Sequence, residues 1–369
     1  MEIRFFNPSL FYRKHQTELD AAIHGVLSSG KLVLGSSEDI PEFERQFAEF
    51  IGVKHAVMCG SGTQALFLAY KASGIGPGDE VIVPSMTFVA TMDQVVAVGA
   101  KPILLDIKEG EPLMNPELIE KAITPRTKAI VPVHLEGAVC DMDAIMEIAK
   151  RHNLLVIEDA AQAIGAEFNG KRAGSMGIAG CYSFFPAKVL GSFGNAGMMV
   201  TNDDEIARRA EGLRRNWSIG KEPQDKVEFG MNLEPDGVQA AWLKVALRLL
   251  PERLARRKEI ASKYLQAFKE KTPLNLPVEQ PGRVWQDFIV RFRTGNEKDD
   301  FLTFLKGAGI GFLGHNLRCN HKYSALGLDF SLPKTEEYVA MQVRLPCNPD
   351  LTDDEVNYIV EKVTAFYKP

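Results

Sequence analysis

Three short stretches gather residue types able to do chemistry on a bound anionic ligand. The first is Gly60-Ser61-Gly62-Thr63-Gln64-Ala65, which follows an apolar run ending near Cys59 and opens a helical pattern through Leu66, Leu68 and Tyr70. At such a strand-to-helix turn, free N–H groups and the positive end of the helix dipole meet. Glycines let an anion approach and hydroxyls add donors, so a phosphate could sit there. The competing reading is a plain helix start, because Ser61 with Gln64 also has the capping-box pattern. The stretch is neither G-x-G-x-x-G nor G-x-x-x-x-G-K-[ST], so the usual dinucleotide and Walker readings fail.

The second stretch is Ile157-Glu-Asp-Ala-Ala-Gln162, where two carboxylates end an apolar strand. Ligands of open α/β sheets gather outside the carboxyl ends of strands, so Asp159 is expected to point into the crevice and to hold a protonated ring nitrogen or a metal. Its other reading is an N-cap for a following helix. The third is Cys181-Tyr-Ser-Phe-Phe-Pro-Ala-Lys188, followed by Gly191-Ser-Phe-Gly-Asn-Ala-Gly197. A lysine beside an aromatic strand end enters an apolar surrounding that favours the neutral amine, the form that attacks an aldehyde. Against this stands the common solvated lysine near a strand end.

Positioning these residues requires strands whose ends converge. Apolar runs recur at His55 to Met58, Glu80 to Pro84, Pro102 to Asp106, Ala129 to His134, Leu154 to Glu158 and Tyr182 to Phe185, with amphipathic stretches between them. In one such stretch Met142, Ile145 and Ile148 fall on one helical face. This alternation predicts an α/β fold with a mostly parallel central sheet and helices on both faces. After about Pro235 the strict alternation stops. A long helical stretch runs through Gln239 to Lys269, interrupted mainly at Pro251. Then come a strand-like Phe288 to Phe292, a helix near Asp300 to Lys306, and a last helix opened by the capping box Thr352-Asp-Asp-Glu355. The expected organisation is a large α/β domain over residues 1–250 and a smaller α+β domain over 251–369.

Composition narrows the function. The chain has 369 residues, a net charge of -5 and no basic cluster, which argues against nucleic acid as a partner. No apolar run approaches the roughly 20 residues of a bilayer span, so no membrane role is expected. The five cysteines are dispersed without a CxxC pair, suggesting neither disulfides nor zinc and fitting a reducing cytoplasm. Among other polar residues, His134 reads as a satisfied core histidine or a substrate contact. His315, Arg318 and His321, with Asn316 and Asn320, would suit a polar or diphosphate ligand better than a metal.

Taken in order, these motifs resemble the DegT/DnrJ/EryC1/StrS family of sugar aminotransferases, which share the aspartate aminotransferase type of fold. The likeness spans nearly the whole chain: Gly30 to Gly35, Phe43 to Phe47, Ser61 to Thr63, Pro84-Ser-Met-Thr-Phe-Val-Ala-Thr91, Glu158 to Gln162, Ser183 to Lys188, and Leu345-Pro346 with Leu351 to Glu355. The resemblance implies a pyridoxal 5'-phosphate (PLP) enzyme that converts a nucleotide-linked keto sugar into an amino sugar, with glutamate as the habitual donor. It further implies Lys188 as the Schiff-base lysine, Asp159 on the pyridinium nitrogen and Gln162 on the phenolic oxygen. Phe88 would stack on the ring, while Gly62, Thr63 and Ser183 hold the phosphate. It also implies a homodimer with shared active sites, in which Asn232 of the partner subunit reaches the phosphate. The chain departs from the family pattern at Glu234, where Arg is common, at Glu136, which replaces an aromatic residue, and at Asn195, which replaces an acid. These changes read either as an unusual substrate or as neutral drift at a rim.

A related branch that dehydrates sugars carries His in place of the lysine, and Lys188 argues against it. The remaining alternatives are a non-nucleotide substrate, such as a cyclitol or an amino-hydroxybenzoate precursor, and a non-catalytic ligand sensor on the same scaffold.

Overall fold

Strands buried on both faces must alternate their side chains between two apolar layers, and the sheet at the centre of this computed structural model does so. The structure describes residues 1–217, 228–314 and 318–368. The strands are β1 (His55–Cys59), β2 (Glu80–Pro84), β3 (Lys101–Leu105), β4 (Thr127–Ile130), β5 (Leu155–Asp159), the hairpin β6 (Glu167–Phe168) and β7 (Lys171–Arg172), β8 (Ala179–Ser183), β9 (Gly197–Thr201), β10 (Phe288–Arg291) and β11 (Gln342–Leu345). Seven of them form one sheet in the order β1-β9-β8-β5-β4-β2-β3. Its neighbours are paired in parallel except at β9, which runs antiparallel to both β1 and β8.

In β2, Val81 and Val83 enter one apolar cluster and Ile82 the other. Helices cover both faces: Asp39–Ile51 and Met142–His152 contribute to the cluster that holds Ile82, Gly62–Ala72 and Ala90–Ala97 to the one that holds Val81. The mostly parallel α/β architecture expected from the apolar runs is therefore present.

Differences from the sequence expectations have local causes. The run Ala129 to His134 forms a strand only to Ile130, because Pro132 has no N–H to give the ladder. Its carbonyl still accepts the Asp159 N–H at 2.9 Å, and the Asp159 carbonyl accepts the His134 N–H at 2.9 Å. The aromatic run ends as a strand at Ser183, before Phe185. Strand β9 is not evident from sequence because its Met-Met-Val centre follows a glycine-rich stretch that reads as loop. Pro251 does not interrupt the long helix, which is continuous over Gly237–Lys271. One missing backbone hydrogen bond is offset by packing of Leu250 on one side and Ile260, Ala261 and Tyr264 on the other.

That helix spans two environments. Residues from Ala240 to Leu250 bury themselves in the cluster against the sheet, whereas Ile260, Tyr264 and Phe268 enter a third cluster with β10, β11 and the helix Asp353–Phe366. Thr352 and Glu355 cap this last helix reciprocally, as the sequence predicts. The third cluster also takes in Ile3 from the start of the chain. Its N–H donates to the Gly309 carbonyl at 2.8 Å and its carbonyl accepts from Gly311 at 2.7 Å. Among the described residues no helix is long and apolar enough to cross a membrane.

Candidate active site

The carboxyl ends of β1, β2, β5 and β8 open onto one cavity of about 530 Å³. Gly62, Thr63, Phe88, Asp159, Gln162, Ser183 and Lys188 all line it, so the three motifs separated in sequence meet there. Asn232 does not. It is exposed, pairs with Arg215 in an isolated bridge, and its side-chain oxygen accepts the Glu234 N–H at 3.3 Å.

The glycine turn combines both readings made from sequence. Ser61 caps the helix Gly62–Ala72 by accepting the Gln64 N–H at 3.2 Å, and Gln64 reaches back to the Gly60 N–H at 2.7 Å. The leading N–H groups of Gly62 and Thr63 point from the first turn of that helix with no partner among the described residues, which leaves a donor pair for an anion. Glycine at position 62 is sterically required, since a Cβ there would lie 2.7 Å from the Ser183 Cβ. Gly197, at the start of β9, is pressed as closely on Ser61: a Cβ would meet its carbonyl carbon at 2.2 Å. Strand β9 thus supports the turn from beneath.

Asp159 does not cap a helix. One oxygen accepts the Ala161 N–H at 3.1 Å and the other the Thr91 hydroxyl at 2.7 Å, fixing the carboxylate plane. Thr91 is a functional neighbour that sequence reading missed. Burial pushes the Asp159 carboxyl upward, opposed by these hydrogen bonds and by the Lys188 charge. Lys188 shows the reverse: burial pulls its amine below an ordinary lysine, Arg344 adds to this, and Asp159 and Asp287 oppose it. The two groups act on each other across the cavity, and burial favours the neutral form of each.

Further residues complete the wall without any sequence signal: Gln286, Asp287, Arg344, Arg257, Phe5 and Phe6. Gln286 brackets the lysine, donating to the Ala187 carbonyl at 2.8 Å and accepting the Val189 N–H at 3.0 Å. The pairing of β10 with β11, the second half of the long helix and the path of the N-terminal segment bring these residues to the site, and none of the three leaves a motif.

Glu136 is not at a rim. It is fully buried with a left-handed φ of 59°, its N–H donates to the Gln162 side chain at 2.9 Å, and its carboxylate accepts from the Tyr338 hydroxyl at 3.2 Å. Burial raises its carboxyl pKa against the pull of Arg344 and Arg283. Asn195 is an exposed part of the cavity lining, and Glu234 accepts from Arg215 Nε at 3.1 Å. His134 is a satisfied core histidine: Nδ1 accepts the Cys140 N–H at 3.2 Å, which leaves Nε2 to bond Glu158 at 2.8 Å.

Only three members of the polar cluster expected around His321, namely Arg318, Asn320 and His321 itself, fall among the described residues. His321 is 1% exposed and bonds Ser85 Oγ at 2.7 Å and Glu336 at 2.9 Å, tying its segment to the end of β2 just before Phe88. Asn320 is buried, Arg318 is exposed, and His315 and Asn316 lie outside the described residues. No cluster of metal-ligating side chains occurs among the described residues.

Comparison with known proteins places this geometry in context. The sequence pattern of the DegT/DnrJ/EryC1/StrS aminotransferase family matches residues 13–364. The chain is 39% identical over 370 residues to the dTDP-3-amino-3,4,6-trideoxy-alpha-D-glucose transaminase of Streptomyces venezuelae, covering 99% of this chain and 96% of that protein. The crystal structure of S. venezuelae DesV in complex with a ketimine intermediate superposes with a TM-score of 0.94 at 38% identity, covering 100% of this chain and 99% of that one. NtdA from Bacillus subtilis, solved with bound cofactor PMP, superposes with a TM-score of 0.92 at 29% identity, covering 100% and 86%.

Proposed function

The chain belongs to the DegT/DnrJ/EryC1/StrS aminotransferase family, and from that premise we propose that it moves an amino group, from glutamate, onto the keto carbon of a nucleotide-linked sugar with PLP as its cofactor. The observation that carries this reading is an amine, Lys188, and a carboxylate, Asp159, in mutual electrostatic reach within one cavity that also receives a helix N-terminus.

The residues present fit the cofactor. Gly62 leaves room that any Cβ would fill, the N–H groups of Gly62 and Thr63 offer donors to a phosphate, and Ser183 stands against them with a hydroxyl. Asp159, held by Thr91 and Ala161, would pair with the ring nitrogen; Gln162, held by the Glu136 N–H, would meet the phenolic oxygen; Phe88 would cover a ring face. When bound, PLP supplies an aldehyde that captures amines and a ring that accepts an electron pair from the adjacent carbon.

Lys188 carries the proton chemistry. Its Nζ, whose neutral form burial favours, can in that form attack an aldehyde and take the proton from the carbon that bears the donor nitrogen. The same Nζ then delivers a proton at the sugar carbon in the second half of the cycle. Gln286 holds the backbone on both sides of that lysine, so Nζ keeps one approach to both carbons. Phe88, Leu66 and Val133 give the cavity an apolar wall beside the reacting amine.

We further read the protein as a cytoplasmic homodimer, with Asn232 of the partner subunit at the phosphate. The exposure of Asn232 away from its own cavity supports this reading. The same reading divides the chain into a PLP-binding domain over 1–250 and a smaller domain over 251–369, which the change of cluster along the long helix supports.

The test is Lys188→Ala. Transamination of a nucleotide-linked keto sugar should fall by at least about 10⁴-fold and borohydride-trappable cofactor should vanish, with the circular dichroism spectrum retained. Turnover that survives the substitution refutes the assignment. Comparing keto sugars with cyclitol and amino-hydroxybenzoate precursors in the parent enzyme tests the substrate class.

A further inference from the structure

Glu136 does not line the cavity, although Val133 and Leu135 just before it do. Its side chain has no part in the chemistry assigned above, yet its backbone meets Gln162, which stands on the cavity wall. A glutamine amide can present either a donor or an acceptor to a ligand. A backbone N–H must be met by an acceptor, so the 2.9 Å bond from the Glu136 N–H holds the amide oxygen of Gln162 against the turn. The NH2 group makes no hydrogen bond among the described residues and is left to donate. The turn at Glu136 thus decides which end of the amide a ligand meets.

That turn is an unfavourable one for its sequence. Glu136 and Gly137 are both left-handed, with φ of 59° and 84°. Glycine adopts this conformation freely, whereas glutamate keeps it only where the surroundings over-determine it.

Here the side chain supplies the constraint. The Glu136 carboxylate is fully buried, and both its oxygens lie 3.2 Å from the Tyr338 hydroxyl. Arg283 Nη2 donates to the Glu136 carbonyl at 3.4 Å and lies 3.7 Å from its carboxylate. Tyr338 belongs to the helix Pro333–Met341, which is tied back to the end of β3 where the Thr335 N–H donates to Asp106 at 2.7 Å. Sealing an acid beside the apolar cluster of Val133, Leu135 and Tyr338 is unfavourable unless its partners complete it, and these partners come from about 150 and 200 positions later in the chain.

We propose that Glu136 is a positioning residue for Gln162: its carboxylate, gripped by Tyr338 and Arg283, locks the left-handed turn whose N–H keeps the Gln162 NH2 toward the ligand. This rests on the reading in which Gln162 donates to the phenolic oxygen of PLP.

The visible absorption of the holoenzyme against pH tests it. A donor at the phenolic oxygen stabilises the negative charge there most once the adjacent proton has left, so Gln162→Leu should raise the midpoint of the visible band by about one pH unit. Glu136→Ala should reproduce most of that rise, and should add less than about 0.3 unit in the Gln162→Leu background. Glu136→Gly, which takes the left-handed turn without strain, should lie nearer the parent than Glu136→Ala. Loss of the Glu136 charge acting directly through space would lower the midpoint, because a nearby anion favours the protonated form. A fall, an unmoved midpoint, or an equal rise with and without Gln162 overturns the proposal. Tyr338→Phe removes one hydroxyl from the anchor and serves where the Glu136 variants fail to fold. In cofactor-free protein it should speed deuterium exchange at the Glu136 amide about tenfold, and unchanged exchange overturns the anchor. That exchange needs no PLP, so a parent protein that takes up none counts against the cofactor reading and not against the anchor.

Discussion

The two walls of the cavity are built differently. One comes from the carboxyl ends of β1, β2, β5 and β8, where Gly62, Asp159, Ser183 and Lys188 each stand inside a short run of consecutive residues. The other comes from β10, β11 and the second half of the long helix, where Asp287, Arg344 and Arg257 are isolated polar residues among apolar ones. The first wall holds groups through local turns and caps. The second holds them through pairing between segments more than 50 residues apart, Ile289 opposite Arg344 being one such pair. A parallel sheet places chemistry at strand ends, whereas an antiparallel pair can place it at any alternate position along a strand.

Substitutions on each wall can sharpen or break this contrast. The largest effect is expected on the first wall: Asp159→Asn removes the negative charge and keeps one acceptor oxygen for the Ala161 N–H, while its NH2 can donate to the Thr91 hydroxyl, and kcat should fall about 10²- to 10³-fold in steady-state assays. A loss below tenfold would mean that this wall does not set the electronics of the ring. A smaller effect is expected from Gln286→Leu, which removes the two bonds bracketing Lys188; kcat should drop about tenfold with little change in KM.

The smallest effect concerns protonation. Uptake of PLP by apoenzyme needs the neutral amine, so its rate should climb with pH toward a midpoint below the 10.5 of an ordinary lysine. Asp287 raises the proton affinity of that amine, so Asp287→Asn should move the midpoint down by less than about one pH unit; Arg344 lowers it, so Arg344→Gln should move the midpoint up. Stopped-flow absorbance against pH reads both shifts. Shifts of the same sign would show that the second wall acts on Lys188 through structure rather than charge.

The contrast also explains what was legible in the sequence. Apolar runs of five residues buried on both faces announce a parallel strand, and a Gly-Ser-Gly-Thr turn after one announces a capped helix start, because cause and effect lie within ten residues. Strand β9 was hidden by the glycine-rich run that leads into it, and its own first residue must be glycine because a Cβ at Gly197 would collide with Ser61. Glu136 reads as an eccentric surface substitution but is a buried group whose backbone orients Gln162. His321 reads as part of a contact for a polar or diphosphate ligand, and its ring forms a strut between Ser85 and Glu336. In each case the deciding contact is made by a residue distant along the chain, which no periodicity records.

The fastening of Ile3 between Gly309 and Gly311 has a temporal consequence. Ile3 cannot settle until a segment about 300 positions later has emerged, a wait of roughly 15 to 60 s at ordinary elongation rates. Phe5 and Phe6 line the cavity from that same segment, so this part of its wall forms only after the region around Gly309 has been made. A ligand that enters this cavity thereby meets a finished wall only late in the making of the chain.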